Sequence, residues 1–271
     1  MPCQSVEMAP MQNRSNLSCI HHGVGNVGEI KSDAGRHHRA KIGFVLLAME
    51  QTIEDDMFTL RPKGVGIHFT RAPMENRVSV DTLAAMASGI GDAASLLLPD
   101  EPLDVVCYAC TSGSVVIGEE GVFAELNRGK PTARATSLIT SVMRALEALK
   151  VKRIAIATPY LSEVDAIERS YMTARGFDIV HMQGLGIEKD ADMVRVTPEA
   201  ILDFALSVDR PEAEALFISC GALRSLDVIE ELERRLGKPV VTSNQAMMWD
   251  CLRLAGIADQ RDDYGILLRE H

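Results

Sequence analysis

From Lys41 onward, short apolar runs alternate with stretches of helical periodicity, and this alternation restricts the chain to one fold class. Apolar runs that are separated by amphipathic helices predict βα units and a mostly parallel sheet. The predicted strands are Ile42–Leu47, Gly66–Phe69, Asp104–Tyr108, Arg153–Ala157, Asp178–Met182, Ala215–Ser219 and Val240–Thr242. Helices are predicted at 52–60, 80–97, 116–126, 137–149, 162–174, 198–206, 225–236 and 245–254. We therefore predict an α/β protein of doubly wound, Rossmann-like architecture.

The chain also contains a weak internal repeat. Arg153–Ala157 is similar to Lys41–Val45, and a Thr-Ser pair precedes a helical stretch both at Thr136 and at Thr242. The repeat predicts two pseudo-symmetric domains with the active site in the cleft between them. Because the second Thr-Ser pair comes late, the C-terminal segment is expected to cross back. The predicted domains are 41–135 plus 242–271, and 136–241.

Each predicted domain has a cysteine at the end of a central apolar run. Cys110 follows the run that begins at Val105, and Cys220 follows Leu216–Ser219. Small residues and an amphipathic stretch come after each cysteine. A thiol between a strand and a helix lies near free N–H groups, which favour the thiolate and can bind an anion. The pair predicts proton transfer on both faces of one small acid.

Composition and charge narrow the functional classes. A formal net charge of −10 argues against non-specific binding to nucleic acid or to an anionic membrane. No apolar run approaches the roughly 20 residues of a transmembrane helix, and residues 1–40 lack a hydrophobic signal core, so we expect a cytoplasmic protein. Residues 1–40 are polar and are predicted to form a mobile leader, in which His21-His22 and His37-His38 would make poor metal ligands.

No metal and no organic cofactor is expected. Glu188, Asp190 and Asp192 are predicted to lie on a polar loop without a histidine partner. No lysine occupies a strand-end position from which it could form a Schiff base. Cys107 and Cys110 form a Cys-x-x-Cys pair, but residues three apart on a strand point to opposite faces, so Cys107 is interpreted as a core residue. Cys251 is interpreted in the same way.

Four motifs resemble those of the aspartate/glutamate racemase superfamily. They are Tyr108-Ala109-Cys110-Thr111-Ser112-Gly113, Thr158-Pro159-Tyr160, Ser219-Cys220-Gly221-Ala222-Leu223-Arg224 and Ser243-Asn244-Gln245-Ala246. Within the superfamily the chain is most similar to the branch of maleate cis-trans isomerases, arylmalonate decarboxylases and proteins encoded with ectoine-utilisation genes. The resemblance covers about Lys41 to Ile257.

The resemblance implies cofactor-free catalysis with Cys110 and Cys220 as the catalytic pair. Thr111, Ser112, Tyr160 and Gly221 match the positions that bind a carboxylate or the enediolate formed from it. Preorganised donors of this kind lower the barrier by roughly 3 kcal/mol each. The expected partners are a small carboxylic or amino acid and further copies of the chain.

The resemblance leaves the reaction open. Racemases need a thiol on each face of a planar carbanion, the isomerase adds one thiol to a double bond, and the decarboxylase keeps only the second thiol. This chain has both, which favours a two-cysteine racemase or isomerase, with ectoine degradation as a candidate context. Cys220-Gly221-Ala222-Leu223 is similar to the decarboxylase motif, so a decarboxylase with Cys220 as proton donor is the alternative. A non-catalytic protein that binds small acids is the alternative from another class, although paired thiols would have no purpose in it.

The end of the first strand departs from the isomerase pattern. Glu50 or Gln51 is nearest to the position at which maleate isomerases have an asparagine. An acidic side chain there would repel a second substrate carboxylate, which favours the ectoine-associated members and their similar Thr-Ile-Glu-Asp stretch. Glu50, Gln51 and Asn244 are candidates for site support, and Ser243 or Asn244 is expected to cap the following helix.

Overall fold

The computed structural model describes residues 32–75 and 77–271 and contains two four-stranded parallel sheets. The first sheet consists of β1 (Ala40–Leu47), β2 (Val65–Ala72), β3 (Val105–Tyr108) and β4 (Arg134–Ser137) in the order β2-β1-β3-β4. The second consists of β5 (Arg153–Thr158), β6 (Asp178–Gly184), β7 (Ala215–Ile218) and β8 (Val240–Thr242) in the order β6-β5-β7-β8. The two orders are equivalent, so the predicted pseudo-symmetric α/β class is confirmed. The domain boundaries stay a prediction.

Helices connect the strands and cover the sheets. They are α1 (Ile53–Leu60), α2 (Val80–Ala85), α3 (Ala87–Ser95), α4 (Thr111–Ile117), α5 (Glu119–Gly129), α6 (Leu138–Ala148), α7 (Ser162–Ala174), α8 (Asp190–Met193), α9 (Pro198–Val208), α10 (Ile229–Leu236), α11 (Ser243–Leu254) and α12 (Ile266–Glu270), with a 3-10 turn at Ser225–Val228. The single helix predicted at 80–97 is divided at Met86. Gly118, at φ 84°, separates α4 from α5 because this positive φ favours glycine.

The central strands β1 and β3 are apolar on both faces because helices cover both sides of a parallel sheet. Phe44 of β1 is in register with Phe69 of β2 on one side and with Cys107 of β3 on the other. Cys107 and Cys251 are fully buried, which agrees with their interpretation as core residues.

Helix α11 follows β8 of the second sheet and packs against α6, β3 and β4. Asp250 of α11 accepts hydrogen bonds from Thr136 Oγ1 at 2.7 Å and Ser141 Oγ at 2.9 Å, and it pairs with Arg144 at 3.1 Å. These contacts join the C-terminal segment to the end of the first sheet.

Most of the predicted leader, including His21-His22, lies outside the described residues. Within its described part, His37 packs edge-on against the His68 ring with centroids 5.3 Å apart, and Arg39 pairs with Asp259 at 2.5 Å. In the ranges 32–75 and 77–271, no helix is both long enough and apolar enough to cross a membrane.

Candidate active site

Both predicted catalytic cysteines line one small cavity of about 20 Å³ at the carboxyl ends of the strands. Cys110 follows β3 and Cys220 follows β7, which are equivalent strands of the two sheets. The lining residues are Leu47, Glu50, Val78, Leu83, Ala109, Cys110, Thr111, Ser112, Tyr160, Asp190, Met193, Cys220, Gly221 and Ala222. The structure therefore brings together the two cysteines and all four residues that were predicted to bind a carboxylate.

Cys110 is the N-cap residue of α4, and its sulfur accepts the Gly113 N–H at 3.2 Å. The Ser112 hydroxyl lies 3.8 Å from the same sulfur. Glycine is required at position 113 because a Cβ there would come within 2.9 Å of Cys110 Sγ and 2.7 Å of Tyr108 Oη. The close approach of the backbone brings an N–H donor to the sulfur.

Cys220 has a different local geometry, because its φ of 97° is in a region that residues with a Cβ rarely occupy. The Ala222 N–H donates to Cys220 Sγ at 3.4 Å, and the Cys220 N–H donates to Ser243 Oγ at 3.0 Å. A Cβ on Gly221 would lie 2.7 Å from Ile53 Cδ1, so this turn has no space for a side chain at position 221.

A hydroxyl pair connects the two cysteine segments. Thr111 Oγ1, next to Cys110, lies 3.0 Å from Ser243 Oγ, which also accepts the Cys220 N–H. Ser243 is the first residue of α11, so this helix holds both segments.

The thiols do not ionise as easily as their helix-adjacent positions predicted. Burial raises the pKa of Cys110 to about 11, and the Gly113 N–H and the Ser112 hydroxyl offset this only in part. Burial also raises the pKa of Cys220 well above its ordinary value, followed by the charge of Asp190, while the Ala222 N–H and the Tyr160 hydroxyl lower it. That expectation was wrong because desolvation of the thiolate outweighs the nearby donors.

The three candidates for site support differ in position. Glu50 lines the cavity, and its Oε1 accepts the N–H groups of Gln51, Thr52 and Ile53 at 2.8, 2.5 and 3.0 Å, so it satisfies the first turn of α1. Gln51 is exposed and does not line the cavity.

Asn244 lies behind the cavity, and its role as a helix cap was wrong. Thr242 is the N-cap of α11 and forms a capping box with Gln245. The Asn244 amide instead donates to the Gly221 carbonyl at 2.8 Å and to Asp56 at 2.7 Å. It therefore supports the backbone beside Cys220 from outside the cavity.

Comparison with known proteins identifies the family. The sequence profile for "Arylmalonate decarboxylase" matches residues 76–268. The chain belongs to the arylmalonate decarboxylase family. It is 37% identical over 138 residues to the arylmalonate decarboxylase of Bordetella bronchiseptica, which covers 50% of this chain and 58% of that enzyme.

Maleate isomerases are similar over more of the chain. Identity to the maleate isomerase of Nocardia farcinica is 29% over 242 residues, or 85% of this chain and 96% of that enzyme. A solved structure of that organism's maleate cis-trans isomerase is a cysteine-to-serine mutant with a covalently bound succinylcysteine intermediate. Its TM-score is 0.77 at 26% identity, and the match covers 86% of this chain and 99% of that one. A closer grouping with the ectoine-utilisation proteins stays a prediction.

The cavity has two acidic residues in its lining, although the relatives are named for acidic substrates, maleate and arylmalonates. Asp190 and Glu50 both line the cavity, and the described residues of its lining include no lysine, arginine or histidine. Burial, followed by the charge of Glu50, raises the pKa of Asp190 to about 6. Burial also raises the pKa of Glu50.

Sequence reasoning assigned Asp190 to a polar loop and did not single out Met193. They lie on α8, which follows β6, so they reach the same carboxyl edge of the sheet as Cys220. Their position after a strand was a signal that could have found them, because the carboxyl ends of parallel strands surround the ligand in such folds. Among residues 32–75 and 77–271, no group of three or more His, Cys, Asp or Glu residues could hold a metal ion.

Proposed function

We propose that this protein is a cofactor-independent, two-cysteine racemase or isomerase that acts on a small carboxylic or amino acid. The observation that supports this most directly is that two buried thiols from equivalent strands line one cavity, each with an N–H donor at its sulfur. The family membership supports an enzyme with cysteine-based chemistry rather than a passive binding protein.

In a racemase, one sulfur in the thiolate form removes the proton from the carbon beside the carboxylate. The electron pair moves onto the carboxylate oxygens and gives an enediolate, which hydrogen-bond donors near Thr111, Ser112, Tyr160 and Gly221 would stabilise. The second thiol gives its proton to the opposite face of the carbon. One sulfur gains a proton and the other loses one, so the roles of the two cysteines are exchanged. A buried thiolate with a raised pKa is a strong base, which suits a weakly acidic C–H group.

In an isomerase, a thiolate would instead add to one carbon of a double bond. The electron pair of the double bond moves onto the other carbon and its carboxylate as an enediolate, so the former double bond can rotate. Return of that pair expels the thiolate and restores the alkene. The succinylcysteine intermediate of the Nocardia farcinica enzyme supports this type of chemistry in a relative. In the racemase the second cysteine protonates the opposite face of the carbon. In the isomerase it would protonate the carbon next to the new C–S bond, which gives a succinyl adduct, and remove that proton again before the thiolate leaves.

Decarboxylation is the second candidate. It is favoured by the 37% identity to an arylmalonate decarboxylase and by the apolar wall of Leu47, Val78 and Leu83, which could destabilise a leaving carboxylate. Here Cys220 alone would protonate the enediolate that remains after CO₂ has left.

Substitution of each cysteine separates the two candidates. For a racemase or isomerase, Cys110→Ala and Cys220→Ala should each lower turnover by roughly 10²-fold or more, because each removes a positioned acid, base or nucleophile. Turnover is followed by NMR in D₂O with a panel of small mono- and dicarboxylic acids and amino acids. For a decarboxylase, only Cys220→Ala should have this effect.

Cys107→Ala is the matched control, because Cys107 is also a fully buried cysteine but does not line the cavity. Its turnover should stay close to that of the unmodified protein. Near-normal turnover by Cys110→Ala on the substrate that gives the highest rate would contradict the two-cysteine proposal. The role in ectoine degradation is a further prediction, which neighbouring genes would test.

A further inference from the structure

One carboxylate oxygen of Asp190 lacks a partner at the cavity surface among residues 32–75 and 77–271. Its residue surface is only 4% exposed, and Oδ2 has no hydrogen-bond partner in the described part of the chain. A buried carboxylate without a partner is unfavourable, and its ordinary compensation is a cation or a set of hydrogen-bond donors. In the part of the chain that the structure describes, the residues that line the cavity include no cationic side chain that could supply it.

Glu50, the other carboxylate at the cavity, is in a different situation. Its Oε1 accepts three backbone N–H groups at the start of α1, so its position is explained by local structure. The charge of Glu50 also acts unfavourably on Asp190. Asp190 Oδ2 is therefore the carboxylate oxygen at the cavity that is left to bind a ligand.

We propose that Asp190 binds the ammonium group of the substrate and that the substrate is a small α-amino acid with an apolar side chain. This inference rests on the proposed function, in which the substrate carboxylate faces the donors near Cys110 and Cys220. Leu47, Val78 and Leu83 form an apolar wall that suits the remaining substituent. A dicarboxylate would place its second negative charge in a cavity that already holds Asp190 and Glu50.

Matched pairs of acids test the proposal through binding. Calorimetry compares three racemic amino acids with their racemic hydroxy counterparts: alanine with lactate, 2-aminobutyrate with 2-hydroxybutyrate, and methionine with 2-hydroxy-4-methylthiobutyrate. Maleate is measured as the dicarboxylate. Each pair differs only in the amino or hydroxyl group, and turnover does not change the composition of a racemic mixture. An ion pair with a buried carboxylate should make at least one amino acid bind roughly 10- to 100-fold more tightly than its hydroxy counterpart.

Asp190→Asn should reduce this preference to about threefold or less, because the neutral amide loses the charge and keeps the shape. Asp192→Asn is the matched control on the same helix, since Asp192 is exposed and pairs with Arg195 at 2.8 Å. This variant should keep the full preference. If Asp190→Asn does not fold, the preference of the unmodified protein decides the question by itself.

The proposal is overturned if the hydroxy acids or maleate bind as tightly as the amino acids, if no amino acid of the panel binds, or if Asp190→Asn retains the preference. Failure of the proposed function gives a different result: amino acids bind through Asp190, but NMR in D₂O shows no exchange of their α-protons. Exchange in hydroxy acids that is insensitive to Asp190→Asn would keep the enzyme proposal and remove the ammonium site.

Discussion

Cys220 combines a reactive side chain with an unfavourable backbone conformation. Its φ of 97° costs a residue with a Cβ about 1–3 kcal/mol, whereas Cys110 has an extended conformation with φ at −142°. The two thiols therefore share a cavity but are positioned by different means. The turn at Cys220 is held by Ser243, which accepts the Cys220 N–H, and by Asn244, which donates to the Gly221 carbonyl.

Substitution at position 220 should reveal this backbone strain. Cys220→Gly is expected to be more stable than Cys220→Ala by about 1 kcal/mol, although glycine is ordinarily the less stable of the two residues. Both variants lack the thiol, so the difference between their free energies of unfolding reports the backbone strain at position 220. Denaturant unfolding measures it, and Cys107→Gly against Cys107→Ala is the control, because Cys107 lies inside β3 without a positive φ and alanine should be the more stable residue there. If alanine is the more stable residue at position 220 as well, Cys220 is not strained.

At the scale of secondary-structure elements, the carboxyl ends of β3 and β7 and the start of α11 form the cavity and its support. The apolar runs of the central strands and the repeated cysteine context could be predicted from the sequence, because burial on both faces leaves a continuous apolar pattern. Strand β4 was missed, since Arg134-Ala135-Thr136-Ser137 has no apolar run and lies at the edge of its sheet. Asp190 was placed in a loop because a four-residue helix has too few residues to show periodicity.

The ionisation of the thiols could not be predicted from the sequence either. Local position indicates the N–H donors at Cys110 and Cys220, but the burial that dominates their pKa exists only once the chain has folded. Ser243 likewise gained its role only through folding, because it contacts Thr111, which is 132 positions earlier in the chain.

The first residue of α11 should be important for stability. Ser243→Ala removes the acceptor of the Cys220 N–H and the partner of the Thr111 hydroxyl, and leaving a buried donor unpaired costs about 1–3 kcal/mol. Ser170→Ala is the control, because Ser170 is an exposed helical serine whose hydroxyl donates to the Ala166 carbonyl. This substitution should change the free energy of unfolding by less than about 0.5 kcal/mol. Denaturant unfolding compares the two variants, and a similar small loss in both would contradict the bridging role of Ser243.

At the scale of the whole molecule, buried carboxylates in residues 32–75 and 77–271 differ in whether a cation compensates them. Asp250 has Arg144 as its partner, but Glu168, which is fully buried on α7, receives only the Ser219 hydroxyl at 3.1 Å. The second oxygen of Glu168 has no partner in the described part of the chain. Burial raises the pKa of Glu168 from 4.5 to about 8, the Ser219 hydrogen bond lowers it in part, and the charge of Asp165 raises it further.

Glu168 should therefore make the protein less stable as the pH rises. Between about pH 5 and 8 the folded state keeps the Glu168 proton while the unfolded state loses it, so the free energy of unfolding should fall by about 1.4 kcal/mol per pH unit from this group. Glu168→Gln keeps an uncharged group of the same shape and removes that dependence. The variant should be more stable than the unmodified protein near pH 8 and similar to it near pH 5.

Denaturant unfolding between pH 5 and 8 measures this difference. The control is Glu163→Gln, at an exposed position on the same helix, which should show no pH-dependent difference in stability. A stability difference for Glu168→Gln that does not change with pH would mean that Glu168 is ionised in the folded protein.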